Sequence, residues 1–182
     1  MYTTIESYSH AHDFSIDKIV IPRGVKVIED FAFFMCGNVK TVDIPDTVEK
    51  IDDNAFAFCS SLSNIKLSSN LKEIGESTFG GCPFEKIILP ETLESIDYIA
   101  FGYCQNLKDI ILPKNIKYIG LNAFCECHSL TSIIIPKNVS EIGPYTFFNC
   151  MNLEYVKIMN KKCKINETAF SGCHKLSKII RV

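Results

Sequence analysis

The sequence contains no tryptophan, no apolar stretch as long as a membrane span, and no block of lysines or arginines. Its 19 basic and 21 acidic residues are well mixed, so we expect no nucleic-acid partner and no membrane insertion. The first residues are polar and lack the apolar segment of a secretory signal. We therefore expect a cytoplasmic location if the chain is complete.

Motifs for catalysis are also missing. The four histidines, His10, His12, His128 and His174, lie in no nucleophile turn, metalloprotease helix or paired-carboxylate arrangement, and no phosphate-binding glycine loop occurs. Catalysis requires converging groups, so we expect a protein that is not an enzyme and has no cofactor. Glycosylation-acceptor patterns occur at Asn138 and Asn166, but such patterns are frequent by chance and no secretion signal supports their use.

What the sequence does contain is a repeat marked by seven evenly spaced cysteines. They are Cys36, Cys59, Cys82, Cys104, Cys127, Cys150 and Cys173. Successive cysteines are 23 residues apart, except for one step of 22 after Cys82. A fixed period of this length indicates a solenoid, in which one small unit stacks on copies of itself. Such a chain has no central pocket, so its function is expected on a long repetitive surface.

The repeat unit reads L-x-x-I-x-I-P-x-x-V-x-x-I-G-x-x-A-F-x-x-C-x-x, and the copy from Leu107 to Cys127 follows it most clearly, whereas Met159 and Lys162 replace the proline and the valine in the seventh unit. The I-x-I pair predicts a short strand with both isoleucines in the core, and the proline that follows ends it. The V-x-x-I spacing predicts a second extended or turning edge. Because residue types favoured as helix N-caps precede most A-F-x-x-C segments, we expect one or two helical turns there.

The nine cysteines allow three interpretations. Parallel side chains in one column suit disulfides poorly, and a straight column does not supply the converging ligands of a zinc site. We therefore favour free thiols buried as small apolar residues beside the phenylalanines, and no metal. Cys125 and Cys163 lie outside the periodic positions, so they are the expected reactive thiols if any exist. Cys125, Cys127 and His128 are ligand types, but they are expected to face different directions.

The I-x-I-P, I-G-x-x-A-F and C-x-x-L blocks recur in register over about residues 14–182 and resemble the BspA-type leucine-rich repeat family. The resemblance implies an α/β solenoid: a right-handed superhelix of about seven 23-residue repeats, with parallel strands on the concave face and short helical turns and loops on the other side. It also implies macromolecule binding without shared catalytic residues, and a cell-surface location if the chain is a fragment. We divide the chain into an N-terminal tail or cap, residues 1–13, and the solenoid, residues 14–182.

One stretch of the predicted strand face is apolar. Three consecutive repeats place isoleucine at the outward position of the strand: Ile88, Ile111 and Ile134. Charged and aromatic residues of the neighbouring outward row form a rim, namely Lys86, Asp109 and Tyr155. An apolar stripe with such a rim is typical of a protein-binding groove, although β-branched residues also favour strands for purely structural reasons. We expect these six residues to bind a protein partner; the alternative is a structural or self-associating unit, forming a homo-oligomer.

Overall fold

The apolar–polar alternation within each repeat produces two short strands per coil. The computed structural model describes residues 3–182. Its strands are β1 (Thr4–Ile5), β2 (Lys18–Val20), β3 (Val27–Ile28), β4 (Thr41–Asp43), β5 (Lys50–Ile51), β6 (Asn64–Lys66), β7 (Glu73–Ile74), β8 (Lys86–Ile87), β9 (Ser95–Ile96), β10 (Asp109–Ile110), β11 (Tyr118–Ile119), β12 (Ser132–Ile135), β13 (Glu141–Ile142), β14 (Tyr155–Ile158), β15 (Lys164–Ile165) and β16 (Lys178–Arg181). None of them exceeds four residues, because each coil turns after its short extended segment.

The even-numbered strands form one column and the odd-numbered strands form a second. The first column contains the sheets β2-β4-β6, β8-β10 and β12-β14-β16, and the second contains β1-β3-β5, β7-β9-β11 and β13-β15. Every pair is parallel, and like residues lie beside like: Ile19 pairs with Val42, which pairs with Ile65. The chain is therefore a β-solenoid of about eight parallel-strand turns, which confirms the solenoid prediction.

Columns of apolar side chains fill the interior. Seven phenylalanine rings stack in series, with neighbouring centroids 5.2 to 5.9 Å apart: Phe33, Phe56, Phe79, Phe101, Phe124, Phe147 and Phe170. Burying such a side chain contributes about 1.5–3 kcal/mol, and a favourable aromatic pair adds about 0.5–1.5 kcal/mol. Since each ring is covered by the ring of the next coil, the core exists only when the coils stack.

The third side of each coil is a series of turns, and the prediction of short helical turns there was wrong. Each coil before the last has two residues in the left-handed region, four positions apart, as at Phe31 (φ 58°) and Met35 (φ 55°). The N–H groups of Phe31 and Met35 donate to Asp53 and Ala57 in the next coil, whereas a helix would direct them to its own preceding turn. Within residues 3–182 there is accordingly no helix, and none that could cross a membrane.

The N-terminal segment continues the stack. Strand β1 pairs with β3, and the N–H groups of Tyr8, His10 and His12 donate to carbonyls of the following coil. The His10 ring lies on Phe33, with centroids 5.0 Å apart, at the position that phenylalanine occupies in later coils. Met1 and Tyr2, which belong to the predicted cap, lie outside the described residues. The division into residues 1–13 and 14–182 stays a prediction.

Candidate functional site

The seven periodic thiols form hydrogen bonds that join successive coils. Each Sγ donates to the carbonyl oxygen of the aromatic residue in the preceding coil, at 2.9 to 3.2 Å. The acceptors, in order, are His10, Phe33, Phe56, Phe79, Phe101, Phe124 and Phe147. All nine cysteines are unpaired, and the periodic ones face inward as predicted. They are more than apolar filler, because each thiol supplies a weak donor to a carbonyl.

The structure does not support Cys125 and Cys163 as reactive thiols. Both side chains are buried, and Cys173 in the last coil is the only half-buried cysteine among residues 3–182. Burial raises the pKa of Cys125 to about 11, and the negative charge of Glu126 adds to that rise. A thiol with a raised pKa is a poor nucleophile at neutral pH. Although both lie outside the periodic positions, Cys125 is only 3% and Cys163 only 1% exposed.

The segment Cys125-Glu126-Cys127-His128 does not form a metal centre. Glu126 Oε2 lies 2.8 Å from His128 Nε2, and Asn149 Nδ2 donates to Glu126 Oε1 at 2.8 Å. Cys127 Sγ instead donates into the interior, to Phe101 O. In the described range 3–182, no group of His, Cys, Asp and Glu is arranged to hold a metal ion. Glu126 is therefore a structural residue that holds the side chains of two neighbouring coils.

The predicted isoleucine stripe is highly exposed on the first strand column. The relative exposures are 77% for Ile88, 76% for Ile111 and 55% for Ile134, although the residues on either side of each isoleucine are buried. Ile111 directly follows β10, and Ile134 lies within β12. Because equivalent positions stack coil on coil, the three side chains form one continuous apolar surface.

A shallow groove accompanies the stripe. It has a volume of about 330 Å³ and is bounded by Lys86, Asp109, Ser132, Ile111 and Ile134, among others. Lys86 is the register partner of Asp109, so opposite charges lie side by side at its rim. Tyr155 is half-buried and pairs with Ser132 one coil further along, beyond Ile134. The structure thus brings Lys86 and Asp109 to the stripe and places Tyr155 at its C-terminal side.

Sequence reasoning missed a second surface feature, the accumulation of lysines between Lys157 and Arg181 in the last coil. The sequence analysis considered only the net charge of the whole chain, in which basic and acidic residues nearly balance. The net charge of each repeat would have revealed these lysines. In a solenoid, each repeat occupies its own position along the axis, so a charged repeat is a charged region of the surface.

Comparisons with known proteins agree with this architecture. The family model described as the BspA type leucine rich repeat region (6 copies) matches residues 3–83 and 72–181. No curated protein gives a significant match. Among solved structures, the T. pallidum leucine-rich repeat protein has a TM-score of 0.78 and 27% identity, with 89% of this chain and 78% of that chain covered. A leucine-rich repeat protein from Bacteroides ovatus has a TM-score of 0.59 and 27% identity, with 98% of this chain and 58% of that longer chain covered.

Proposed function

The chain belongs to the BspA-type leucine-rich repeat family, and from this premise we propose that it is a non-catalytic module that binds a protein partner through the first strand column. Ile88, Ile111 and Ile134 form the centre of the proposed site. Lys86, Asp109 and Tyr155 form its polar rim.

The contiguous exposure of the three isoleucines carries this proposal. Nothing in the fold requires isoleucine at these positions, because the equivalent positions of other coils hold Asp43, Lys66 and Lys157. Single exposed apolar side chains are ordinary on protein surfaces, whereas contiguous ones rimmed by polar groups mark interaction sites. Charged residues at the rim would fix the orientation of a partner, and the apolar centre would supply the affinity.

The non-catalytic part of the proposal is supported by how the chain uses its reactive residue types. Seven thiols are hydrogen-bonded in the interior, and His128 lies against Glu126. The thiols and His128 are therefore not among the residues that line the proposed groove. Binding by shape and surface chemistry is the function that this arrangement serves best.

The decisive test replaces Ile111 with glutamate. Ile111→Glu should leave the free energy of unfolding within about 0.5 kcal/mol of the native value, because the side chain is on the surface. The matched control is Val20→Glu, since Val20 is 60% exposed at the equivalent outward position of the first coil. Each protein is immobilised and the captured proteins are identified by mass spectrometry. We expect a partner that binds the native chain and Val20→Glu but not Ile111→Glu.

Two outcomes would contradict the proposal. If Ile111→Glu unfolds, the side chain belongs to the core and the assignment of the face is wrong. If the variant captures the same proteins as the native chain, the stripe does not bind them. Light scattering over a range of concentrations identifies the alternative, because a self-associating unit would show a rise in mass that Ile111→Glu abolishes.

A further inference from the structure

One corner of the solenoid departs from the regular repeat. Cys82 is separated from the next core residue, Phe84, by Pro83 alone, whereas every other periodic cysteine is followed by two linking residues before the core resumes. Phe84 is fully buried at the position where other coils place leucine or valine. The corner of this coil is therefore one residue shorter than the corners of the coils on either side.

Gly81 removes a side chain at the same corner. Its backbone has a φ of 71°, and a Cβ atom built there would lie 2.6 Å from Cδ1 of Phe58 in the preceding coil. The Phe58 ring therefore lies directly over Gly81, in space that any other residue would fill. Tyr103 occupies the equivalent position of the following coil, and both aromatic side chains are exposed. The short corner and the missing side chain thus leave a recess between two exposed aromatic residues.

This recess, the aromatic notch, has the size of a small-molecule site. Its volume is about 380 Å³, and ligand pockets are typically about 300–1,000 Å³. None of its lining residues, which all belong to the described part of the chain, is charged. They are Phe58, Gly81, Cys82, Pro83, Tyr103, Gln105 and Asn106. The notch lies in the middle of the array, with further coils on both sides, so its walls do not depend on where the sequence ends.

Two side-chain amides stand at the rim of the notch without a partner. Elsewhere the asparagine two residues after the periodic cysteine donates to a carbonyl of the preceding coil, as Asn38 and Asn152 do at 2.6 and 2.8 Å. Asn106 has the same position, but it follows the shortened corner, and its side chain forms no hydrogen bond with any residue in the range 3–182. The exposed Gln105 side chain forms none in that range either. Each amide therefore keeps donors and an acceptor available beside the aromatic rings.

We propose that the aromatic notch binds a neutral pyranose residue of a glycan. The face of a pyranose ring that presents only C–H groups is apolar, and it would pack on the Tyr103 ring beside Phe58. Each sugar hydroxyl both donates and accepts hydrogen bonds, so neighbouring hydroxyls match the amides of Gln105 and Asn106. Because no lining residue is charged, the notch offers nothing to an acidic sugar that it does not offer to a neutral one.

The position of the notch also favours a sugar over a peptide. A peptide that pairs through its backbone requires an open strand edge, and the described residues of the turn side form no strand. The aromatic residues are not required by the fold, since equivalent positions of other coils hold Met35, Glu126 and Asn149. The isoleucine stripe lies on the first strand column, so this site is separate from the proposed protein-binding surface.

An array of immobilised oligosaccharides tests the class of ligand. The full chain, labelled at its amino terminus, is applied to neutral oligosaccharides of glucose, galactose, mannose and N-acetylglucosamine, to their sialylated or sulfated counterparts, and to a proline-rich peptide. We expect binding to at least one neutral oligosaccharide, and this binding should persist at about 1 M salt, where charges are screened beyond about 3 Å. Binding to no neutral oligosaccharide, or tighter binding to the acidic counterparts or to the peptide, would overturn the proposal.

Two tyrosines in the same backbone conformation provide matched variants. Tyr103 and Tyr145 both lie on the turn side in the left-handed region, at φ 62° and 54°, and are 45% and 41% exposed. Tyr103→Ala should weaken binding to the selected oligosaccharide about tenfold, because the stacking ring is lost. Tyr103→Phe keeps the ring and should bind within about twofold of the native chain. Tyr145→Ala, outside the notch, should bind like the native chain.

The amide contribution is measured with Asn106→Ala, which should weaken binding about fivefold. Equal losses in Tyr103→Ala and Tyr145→Ala, or unchanged binding in both Tyr103→Ala and Asn106→Ala, would show that the sugar does not bind in the notch. Ile111→Glu should bind the oligosaccharide like the native chain, so failure of the protein-binding proposal leaves this test intact. Unchanged circular dichroism ensures that a variant's loss of binding is not loss of folding.

Discussion

Alkaline pH should destabilise this protein through the thiols of Cys59 and Cys104. Burial raises the pKa of each thiol from the ordinary value of 9.0 to about 12. The folded chain therefore keeps both protons at a pH where the unfolded chain has lost them. The stability contributed by these thiols is complete below about pH 9 and is lost as the pH rises toward about 12.

The magnitude follows from the size of the pKa difference. At about pH 10 the pH is one unit above the pKa of the unfolded thiol, whereas the folded thiol is still protonated. This difference lowers the free energy of unfolding by about 1.4 kcal/mol per thiol. Two thiols together remove about 3 kcal/mol from a total free energy of unfolding of about 5–15 kcal/mol. Cys82 and Cys127, whose pKa values burial also raises, act in the same direction.

Urea unfolding under reducing conditions, at about pH 8 and about pH 10, measures this loss of stability. The variant Cys59→Ala, Cys104→Ala keeps every lysine and tyrosine and removes only the two thiols. Its loss of stability between the two pH values should be smaller than that of the native chain by about 3 kcal/mol. Equal losses would show that these thiols do not hold their protons in the folded state, and would refute the reasoning.

The stacking and the thiol burial give two further predictions. Phe124→Ala should lower the free energy of unfolding by about 3–5 kcal/mol, because the ring is fully buried and stacks on Phe101 and Phe147 with centroids 5.5 Å away; a urea titration measures it, and a loss below about 1 kcal/mol would contradict the role of the column. Iodoacetamide should label Cys173 first in the folded protein, because the other eight thiols are buried; labelling of those eight at the same rate, read by mass spectrometry, would be inconsistent with the structure.

The strands and the core could be predicted because the same residue returns at a fixed interval. Ile19, Val42 and Ile65 are register partners, and the spacing of such residues in the sequence already implied their stacking. The inward position of the cysteines followed from the same argument. Periodicity identifies which side chains share an environment, and in a solenoid that is sufficient to determine the core.

The turn side was harder to predict, because its conformation depends on neighbouring coils. Phe31 and Met35 are not residues that favour the left-handed region, and the signal lay only in the equivalent positions of other coils, which hold Asn54, Gly81, Asn122, Asn149 and Gly172. They adopt it because their N–H groups then reach carbonyls of the next coil. A local propensity for N-caps predicted helix, and hydrogen bonding between coils prevailed over that propensity.

The candidate surface was predictable in part. The outward position of Ile88, Ile111 and Ile134 followed from strand alternation, and the structure exposes them. Whether they bind a partner stays a prediction. The lysines of the last coil were overlooked because a whole-chain charge balance averages over the axis along which the charges separate.

The bonds from each thiol to the preceding coil have a consequence for how such a gene can change. From Phe33 onward, every coil offers its successor the same phenylalanine ring and carbonyl, and receives the same ring and thiol in return. An in-frame duplication of one unit therefore preserves the stacked rings and the thiol–carbonyl bonds between coils. The array can lengthen or shorten by whole units while selection acts freely on the outer side chains, so recognition and architecture evolve almost independently.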